Sequence, residues 1–257
     1  MKEKSRLSVV ILTKNEEARI GCCLESVKWA DEIIVVDDES SDGTLEIVKK
    51  YTDKVFIRKM DVEGRHRNWA YAKAVNDWVL SLDADEVVTP ELKEEIGNLL
   101  KSDPPENGFT IPIRNYIGSH WVRYGGWYPA SKLRLFLKDK FRYEEAEVHP
   151  RAFMDGASGH LRSDIVHFSY KDFEEFLNSV NKQTTKEALK WFNQGRPMRC
   201  GRFIWRAIDR FMRSLLGKKG YKDGLVGFLV AFNAGLYQVL SYLKYRELLA
   251  EKKEIRN

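Results

Sequence analysis

Three short apolar runs in the N-terminal part of the chain each end in a cluster of polar or acidic residues. The runs and the clusters behind them are 7–12 with 13–16, 33–36 with 37–44, and 78–82 with 83–86. Short β-branched runs separated by stretches of helical spacing are typical of parallel strands in an open α/β sheet. Ligands bind beyond the carboxyl ends of such strands, so we expect the three clusters to meet in one crevice.

The predicted elements alternate between strand and helix, which indicates a doubly wound, mostly parallel α/β sheet. Pro90 follows Thr89 in the N1 and N-cap pattern of a helix that runs through Leu100. From Phe173 to about Gly195 the apolar spacing is helical again. The chain therefore combines an α/β layer with a C-terminal helical extension.

The chain has 257 residues and is 43% hydrophobic and 32% charged, as expected of an ordered globular protein. Its three cysteines show no disulfide or metal-binding spacing, which favours a reducing cytoplasm. The net charge of +5 is unevenly distributed, because residues 196–222 carry nine Lys and Arg against Asp209 alone. An anionic partner is therefore expected at this basic segment.

Asp83 and Asp85 directly follow the third apolar run. Two carboxylates one residue apart beyond a strand can both turn toward one ion, and such oxygen ligands suit Mg²⁺ or Mn²⁺. The plainer interpretation is a solvated acidic turn before a helix. The position at a strand end, beside two similar clusters, favours the metal site.

The other two clusters offer groups for a nucleoside. A carboxylate such as Asp38 can accept hydrogen bonds from a ribose hydroxyl or from the N–H of a pyrimidine. Residues 41–44 behind it have the pattern of a helix cap. The run of Thr13, Lys14, Asn15 and Glu16 likewise combines capping with side chains able to touch a nucleoside.

Three phrases of the sequence, in this order and spacing, resemble the inverting glycosyltransferases of family two, which have the GT-A fold. They are VVILTKNEEARIGCCLESV, EIIVVDDESSDGT and GRHRNWAYAKAVNDWVLSLDADE. Farther along, WYPASKLRLF, EVHPR and IVHFSY resemble the subgroup of lipopolysaccharide-core β-1,4-glucosyltransferases. The resemblance covers roughly the whole chain and is strongest through Glu86. It implies a metal-dependent hexosyltransferase.

The resemblance implies roles for matching residues. Nucleotide binding falls to Thr13, Asn15, Glu16, Asp38, Arg65, Arg67, Asn68 and Asp83. Metal binding falls to Asp85, Asp83 and His167, although a histidine at a strand end is as often hydrogen-bonded in the core. By strand alternation Arg134 is a further candidate for the diphosphate. Trp127 and Tyr128 are candidates to stack on a sugar, although such rings more often belong to the core.

Inverting transfer needs a general base for the acceptor hydroxyl and positive charge for the departing nucleoside diphosphate. Related sequences carry a Glu directly after a Val-His pair, whereas here Pro150 follows Val148 and His149. Glu147 is then the first choice for the base and Glu145 the second. A solvated acidic loop is an equally good interpretation of this segment.

The family's architecture predicts a catalytic GT-A domain over residues 1–170. Within it we expect 1–100 to be the nucleotide-binding half and 101–170 the acceptor half. Residues 171–257 are predicted to be a helical, membrane-interfacial region. Within it, the segment 224–243 carries no charged residue and is long enough to span a bilayer. Polar residues interrupt this segment, which favours a helix that lies at the membrane interface.

Residues 202–216 place an apolar stripe at helical spacing beside four arginines, Arg202, Arg206, Arg210 and Arg213. A basic amphipathic helix of this kind suits an anionic membrane surface. Packing of the stripe on the catalytic domain is the alternative. No recognition motif accompanies the basic residues, so nucleic acid is not expected as a partner.

Together these features predict transfer of a hexose, glucose in the first instance, from a UDP-sugar to a lipid-linked saccharide such as lipopolysaccharide core. We expect a peripheral or monotopic enzyme at the cytoplasmic face of the inner membrane, with Mg²⁺ or Mn²⁺ as cofactor. A sugar nucleotidylyltransferase is the alternative enzyme class, although it needs a Gly-rich, Arg-bearing loop after the first strand. The non-enzymatic alternative is a sugar-nucleotide-binding membrane protein that lacks the base.

Overall fold

A computed structural model of the chain describes residues 5–145, 151–195 and 200–254. The chain forms two compact units, Met1–Ile113 with Ala130–His167, and Arg114–Pro129 with Phe168–Asn257. Each unit is therefore built from two separate stretches of sequence. The domain boundaries expected at residues 100 and 170 stay a prediction.

The described residues form short strands and a smaller number of longer helices. The strands are β1 (Leu7–Thr13), β2 (Glu32–Asp37), β3 (Val55–Ile57), β4 (Trp78–Asp83), β5 (Glu86–Val88), β6 (Gly108–Ile111), β7 (Ile113–Ile117), β8 (His120–Trp121), β9 (Lys132–Leu137), β10 (Phe141–Tyr143), β11 (Ala152–Met154), β12 (Ser158–His160) and β13 (Ile165–Tyr170). The helices are α1 (Ile20–Ser26), α2 (Thr44–Val48), α3 (Glu63–Tyr71), α4 (Pro90–Lys101), α5 (Phe173–Asn193), α6 (Cys200–Met212) and α7 (Gly224–Glu254).

The first unit is organised around a seven-stranded sheet in the order β12-β6-β9-β4-β1-β2-β3. Strand β1 pairs in parallel with β2 on one side and with β4 on the other, β3 pairs in parallel with β2, and β9 runs antiparallel to β4. The chain thus moves outward from β1 to β3 and then returns to the far side of β1, which makes the β1–β4 edge a switch point. The predicted α/β class with a mostly parallel sheet is confirmed.

Both faces of β1 are buried, which explains why its sequence is an almost unbroken apolar run. Successive side chains of a strand point to opposite faces. Val9 and Ile11 therefore join an apolar cluster with α1 and α4, whereas Val10 joins another with Tyr71 and Phe136. These two layers hold β1, and with it the polar residues that follow, in a fixed position.

Two helices begin at side-chain caps, and the first of these, Thr89, is predicted from the sequence. The Thr89 hydroxyl accepts a hydrogen bond of 3.2 Å from the Leu92 N–H, and Asp172 accepts one of 2.8 Å from the Glu175 N–H. Each cap satisfies a backbone donor that the first turn of a helix leaves unpaired. The helices predicted at these places are confirmed as α4 and α5.

In the second unit the long helix α7 packs against α5 and α6. One apolar cluster contains Ile117, Val122, Phe176 and Val230, so it joins β7 and its following loop to α5 and α7. A second cluster lies farther along α5 and α7. The helical character predicted for the C-terminal region is confirmed.

Residues 220–252 are long and apolar enough to cross a bilayer, and 33% of their most apolar stretch is buried in the protein. Length and composition do not by themselves separate a membrane span from a core helix. Several large apolar side chains of α6 and α7 are exposed, among them Trp205 at 69% and Leu225 at 74%. Most of the surface of Trp205 and of Leu225 is therefore not covered by the described protein.

The close approach of α6 and α7 depends on Gly235, which leads to a first prediction. A Cβ at Gly235 would lie 2.9 Å from the Ala207 carbonyl oxygen, whereas a Cβ at Gly97 in α4 would meet nothing within 4 Å. Removing a helical glycine stabilises by about 1 kcal/mol where nothing interferes. We expect Gly97→Ala to raise the free energy of unfolding and Gly235→Ala to lower it, as measured by chemical denaturation. Equal gains in both variants would contradict this packing.

Candidate active site

A pocket of about 360 Å³ opens at the carboxyl edge of β1, β2 and β4. In the strand registers Thr13 lies opposite Asp37, and Leu12 lies opposite Asp83. The lining draws on all three polar clusters, on α3 and its preceding loop, and on β13. It includes Thr13, Lys14, Glu16, Asp38, Met60, Glu63, His66, Arg67, Asp83, Asp85 and His167. Segments far apart in the sequence therefore meet here.

Asp38 lies between a lysine and a backbone amide. Its Oδ2 is 2.8 Å from Lys14 Nζ, and its Oδ1 accepts a hydrogen bond of 2.7 Å from the Met60 N–H. Burial acts to raise the pKa of Asp38, but the bonds from Lys14 and Met60 outweigh it, so the net pKa is lowered. Asp38 is therefore an anchored, ionised carboxylate that still has acceptor lone pairs to offer.

A buried cluster of charged side chains fixes the turn between β4 and β5. Arg134 is only 2% exposed and donates to Asp83 Oδ2 at 2.8 Å and to Glu86 Oε1. Arg67 of α3 donates to the other oxygen, Asp83 Oδ1, at 3.1 Å. Glu86 Oε2 in turn accepts a hydrogen bond of 2.9 Å from the Asp83 N–H. Both oxygens of Asp83 are thus held by arginines.

Burial and the two arginines set the charges in this cluster. Burial acts to raise the pKa of Asp83, but Arg134 and Arg67 outweigh it and hold that pKa well below its usual range. For Glu86 the effect of burial prevails over that of Arg134, and the pKa is raised. Asp83 is therefore ionised inside a fixed ion pair, which limits its freedom to bind a metal directly.

Asp85 lies two residues beyond Asp83 and faces His167 of β13. Asp85 Oδ2 is 3.1 Å from His167 Nε2 and 3.8 Å from Arg19 Nη1. Burial lowers the pKa of His167, but the bond to Asp85 outweighs it, so the net pKa is raised. Across the described ranges, no three His, Cys, Asp or Glu side chains form a group that could hold a metal ion by themselves.

Two buried donors in the lining have no hydrogen-bond partner among the described residues. They are the Thr13 hydroxyl and Nη1 of Arg67. Leaving a buried polar group unpaired costs about 1–3 kcal/mol, so such groups indicate a place for a bound molecule. Both donors suit the oxygen atoms of a ribose or a phosphate.

Two predicted nucleotide-binding residues make hydrogen bonds within the protein. Asn15 has a φ of 53°, and its Oδ1 accepts a hydrogen bond of 2.8 Å from the Ser41 N–H, which ties the loop after β1 to the loop after β2. Asn68 donates to the Tyr143 carbonyl at 2.9 Å and accepts from the Tyr143 N–H at 2.8 Å. Neither residue lines the pocket. Their role in nucleotide binding stays a prediction.

Arg65 is also outside the pocket lining. It is half exposed and pairs with Asp61 at 3.0 Å and with Glu145, the second choice for the base, at 3.1 Å. The first choice, Glu147, lies outside the described residues. The assignment of the base therefore stays a prediction.

Trp127 and Tyr128 belong to the second unit. Trp127 packs edge-on against Phe176 with ring centroids 6.0 Å apart, and Tyr128 packs edge-on against Trp121 at 5.3 Å. Trp127 thus contributes to the apolar cluster of that unit. A role of either ring in sugar binding stays a prediction.

Five lining residues carry no role predicted from the sequence: Leu12, Met60, Glu63, His66 and Ala84. Met60 comes shortly after β3, so the strand-edge rule applied to the third parallel strand would find it. His66 is buried, and burial together with the nearby Arg58 lowers its pKa. No local signal distinguishes His66, because its position in the lining depends on how α3 packs.

An α/β sheet with a polar pocket at its switch point is a common architecture of nucleotide-dependent enzymes. Residues 8–154 match the sequence model of Glycosyl transferase family 2, and the chain belongs to this family. The protein is therefore a glycosyltransferase with a GT-A-like fold. The family and the GT-A-like fold expected from the sequence are both confirmed.

Several relatives match almost the full chain, among them two bacterial glycosyltransferases. The lipopolysaccharide core biosynthesis glycosyltransferase LpsC of Rhizobium meliloti (strain 1021) is 29% identical over 248 residues, which cover 94% of this chain and 92% of LpsC. The uncharacterized glycosyltransferase RT0209 of Rickettsia typhi is 28% identical over 264 residues, 97% of this chain and 90% of the relative. The resemblance to lipopolysaccharide-core glycosyltransferases is confirmed.

Among solved structures, Staphylococcus aureus TarS 1–349 is similar with a TM-score of 0.47 and 16% identity, covering 94% of this chain and 91% of that one.

The buried ion cluster predicts a large effect of removing Arg134. Arg134→Met leaves Asp83 and Glu86 without their shared cation, and breaking a buried pair costs about 3–5 kcal/mol. We expect the free energy of unfolding to fall by that amount, as measured by urea denaturation, while Arg162→Met at an exposed arginine changes it little.

The pH dependence of Arg134→Met supplies a second readout. Burial already raises the pKa of Glu86 with Arg134 present, and loss of this cation raises it further. The deficit relative to the parent protein should therefore shrink as the pH falls through the further raised pKa. A loss as small as that of Arg162→Met, or a deficit that does not depend on pH, would show that the cluster is not needed.

Proposed function

We propose that this glycosyltransferase transfers a hexose, glucose in the first instance, from a UDP-sugar to a lipid-linked saccharide such as lipopolysaccharide core, with inversion at the anomeric carbon. The observation that carries the proposal is the pocket at the β1–β4 edge, where the unpartnered donors of Thr13 and Arg67 lie among ionised carboxylates. The name of LpsC, which refers to core biosynthesis, supports the class of acceptor.

The pocket lining offers a partner for each part of a nucleoside diphosphate. Asp38 can accept a hydrogen bond from the N–H of uracil, since Lys14 and Met60 leave lone pairs on both of its oxygens. The Thr13 hydroxyl suits the ribose. The free Nη1 of Arg67 suits a phosphate oxygen, because guanidinium groups bind phosphates with charge-assisted hydrogen bonds.

Asp85 and His167 are the residues that would hold a divalent cation, Mg²⁺ or Mn²⁺. Their facing atoms are 3.1 Å apart. Ligand bonds of about 2.1 Å at right angles separate neighbouring ligands by about 3 Å, so the pair fits two positions of one octahedral ion. Phosphate oxygens and water would supply the remaining ligands. When bound, the cation neutralises charge that develops on the departing diphosphate.

The transfer step needs a general base in addition to the positive charge of the cation. The acceptor hydroxyl oxygen attacks the anomeric carbon, the bond from that carbon to the diphosphate oxygen breaks, and the hydroxyl proton passes to a carboxylate. We assign the base to Glu147, with Glu145 as the second choice because Arg65 already pairs with it. Arg67 stabilises the negative charge of the leaving group.

We also propose a membrane-binding surface on the second unit, which we name the two-helix surface. It consists of exposed apolar residues of α6, the turn behind it and α7: Ile204, Trp205, Ile208, Met212, Leu216, Leu225, Phe228 and Phe232. The residues of α6 recur at helical spacing and so share one face. Phe228 contacts Phe211 with centroids 6.0 Å apart, which joins the two helices. Exposed apolar surface of this extent marks an interaction site.

Charge favours an anionic lipid surface as the partner. Arg210, Lys218 and Lys219 are exposed on the same part of the chain, while Arg213 pairs with Asp209 at 3.0 Å. Cations beside an apolar face are typical of helices that lie in the headgroup region. We therefore place the enzyme at the cytoplasmic face of the inner membrane, peripheral or monotopic, next to a lipid-linked acceptor.

Product analysis separates this function from its alternatives. A transferase releases UDP from UDP-glucose and yields a glycosylated product when a lipid-saccharide extract is added. A nucleotidylyltransferase instead consumes UTP and sugar phosphate, and a binding protein forms no product. Failure to form product with any sugar nucleotide and lipid-saccharide extract would leave the binding protein as the remaining function.

The proposed cation site predicts that Asp85→Asn loses the effect of metal on nucleotide binding. In the parent protein Mn²⁺ should tighten UDP binding, and in the variant it should not, as measured by titration calorimetry with and without EDTA. Turnover should fall on the order of 10²–10³-fold, since several kcal/mol of charge stabilisation are lost. Asp53→Asn, an exposed aspartate before β3, is the matched control. Full activity of Asp85→Asn would exclude this cation site.

The two-helix surface predicts weaker vesicle binding for Trp205→Ser. Loss of a buried indole costs about 2 kcal/mol, which is on the order of 30-fold in partition constant. Sedimentation with phosphatidylglycerol vesicles should show this loss, whereas Val75→Ser, an equally exposed apolar residue of the first unit, should bind like the parent. Arg210→Gln should weaken binding mainly at low salt. Unchanged sedimentation of Trp205→Ser would contradict the surface.

A further inference from the structure

The second unit contains a pocket of about 590 Å³ that no step above uses. We name it the aromatic–basic pocket; it is lined by Trp121, Arg123, Tyr124, Tyr221, Lys222 and Asp223. The first three residues come from β8 and the loop behind it, and the last three directly precede α7. Its volume is within the range of small-molecule sites.

Hydrogen bonds hold the two walls of this pocket together. The Tyr124 N–H donates to Asp223 Oδ2 at 2.7 Å, and the Gly125 N–H donates to the Lys218 carbonyl at 3.0 Å. Ser214 Oγ donates to the Gly125 carbonyl at 3.1 Å. Because these bonds involve the backbone of the loop, the pocket is formed before any ligand enters.

Aromatic rings hold the cations of the pocket in place. The Arg123 guanidinium lies 4.0 Å from the centroid of the Trp121 ring, and Lys222 Nζ lies 5.6 Å from that of Tyr124. Neither Arg123 nor Lys222 forms an ion pair within the described ranges. The cations are thus oriented but not neutralised, and the pocket carries an excess of positive charge over the single carboxylate of Asp223.

A further donor in the lining is unsatisfied. Nε1 of Trp121 is buried and has no acceptor in the described part of the chain. Tyr221, on the opposite wall, is 53% exposed, so a ligand can reach its ring. Sugar rings stack on aromatic faces, and anionic groups pair with Arg and Lys. The combination suits a molecule that has both a sugar ring and a negative charge.

We infer that the aromatic–basic pocket binds an anionic sugar, a pyranose that carries a phosphate or carboxylate, as part of the acceptor saccharide. This inference rests on the proposed lipid-linked acceptor. The pocket residues Tyr221, Lys222 and Asp223 lie within seven residues of Leu225 and Phe228 of the two-helix surface in the sequence. Sugars next to the lipid of an acceptor would therefore meet the pocket when that surface contacts the membrane.

The test measures binding of glucose 6-phosphate to the full chain with saturating UDP present, so that the pocket of the first unit is filled. Arg123→Gln and Lys222→Gln should each weaken binding about tenfold, the usual effect of a charge-assisted hydrogen bond. Tyr221→Ala should weaken it as well, and Tyr221→Phe should restore it because the ring face remains. Lys186→Gln, an exposed lysine of α5, should bind like the parent.

Several results would overturn the inference. Equal binding of glucose 6-phosphate by the parent, Arg123→Gln and Lys222→Gln would exclude the pocket. If inorganic phosphate binds as tightly as glucose 6-phosphate, the aromatic–basic pocket is an anion site that does not recognise a sugar ring. Loss of phosphatidylglycerol vesicle binding in these variants, with glucose 6-phosphate binding unchanged, would assign the cations to a lipid headgroup.

The affinity for UDP separates this inference from the proposed function. Unchanged UDP binding in Arg123→Gln and Lys222→Gln, together with weaker binding of glucose 6-phosphate, supports the pocket. If the parent protein binds no UDP, the proposed donor site fails, whereas glucose 6-phosphate binding still tests the pocket. Circular dichroism of each variant shows whether a loss reflects unfolding.

Discussion

One guanidinium group, that of Arg134, holds the carboxyl end of β4 in place. It lies almost out of contact with water and binds two carboxylates, Asp83 and Glu86, that would otherwise repel each other across a tight turn. An isolated ion in such surroundings is strongly disfavoured, whereas an ion paired with opposite charges is tolerated. These ion pairs hold the turn in the arrangement that places Asp85 opposite His167.

The same principle explains how a pocket with several carboxylates can admit a polyanion. Arg67 and Arg134 neutralise Asp83, and Lys14 pairs with Asp38, so these two carboxylates are compensated by cations before any ligand arrives. Buried charges that are already paired need no reorganisation when a diphosphate enters. The lining groups that remain available to the ligand are the hydrogen-bond donors without partners, the Thr13 hydroxyl and Nη1 of Arg67.

The sequence predicts the elements of the fold better than the contacts of individual polar side chains. Apolar runs, caps and strand order follow local rules, and the strand-edge rule predicts which clusters lie near one another. The strand-edge rule cannot predict that Asn15 and Asn68 form hydrogen bonds with backbone groups of segments distant in the sequence. Those contacts depend on partners that are 26 and 75 residues away in the chain. The same holds for the burial of Arg134, since a charged residue in a strand is normally exposed.

The second unit draws on two stretches of chain, and this has a consequence for synthesis on the ribosome. Ile117 and Val122 are made early, but Phe176 and Val230, which cover them, follow much later. At a usual elongation speed of 5–20 residues per second, the gap before Val230 emerges is on the order of 10 s. During that interval the apolar side chains of Ile117 and Val122 lack the residues that cover them in the folded unit. Nascent chains are therefore most prone to misassembly in this interval. A C-terminal deletion that removes Val230 would leave this apolar surface partly uncovered in the finished chain.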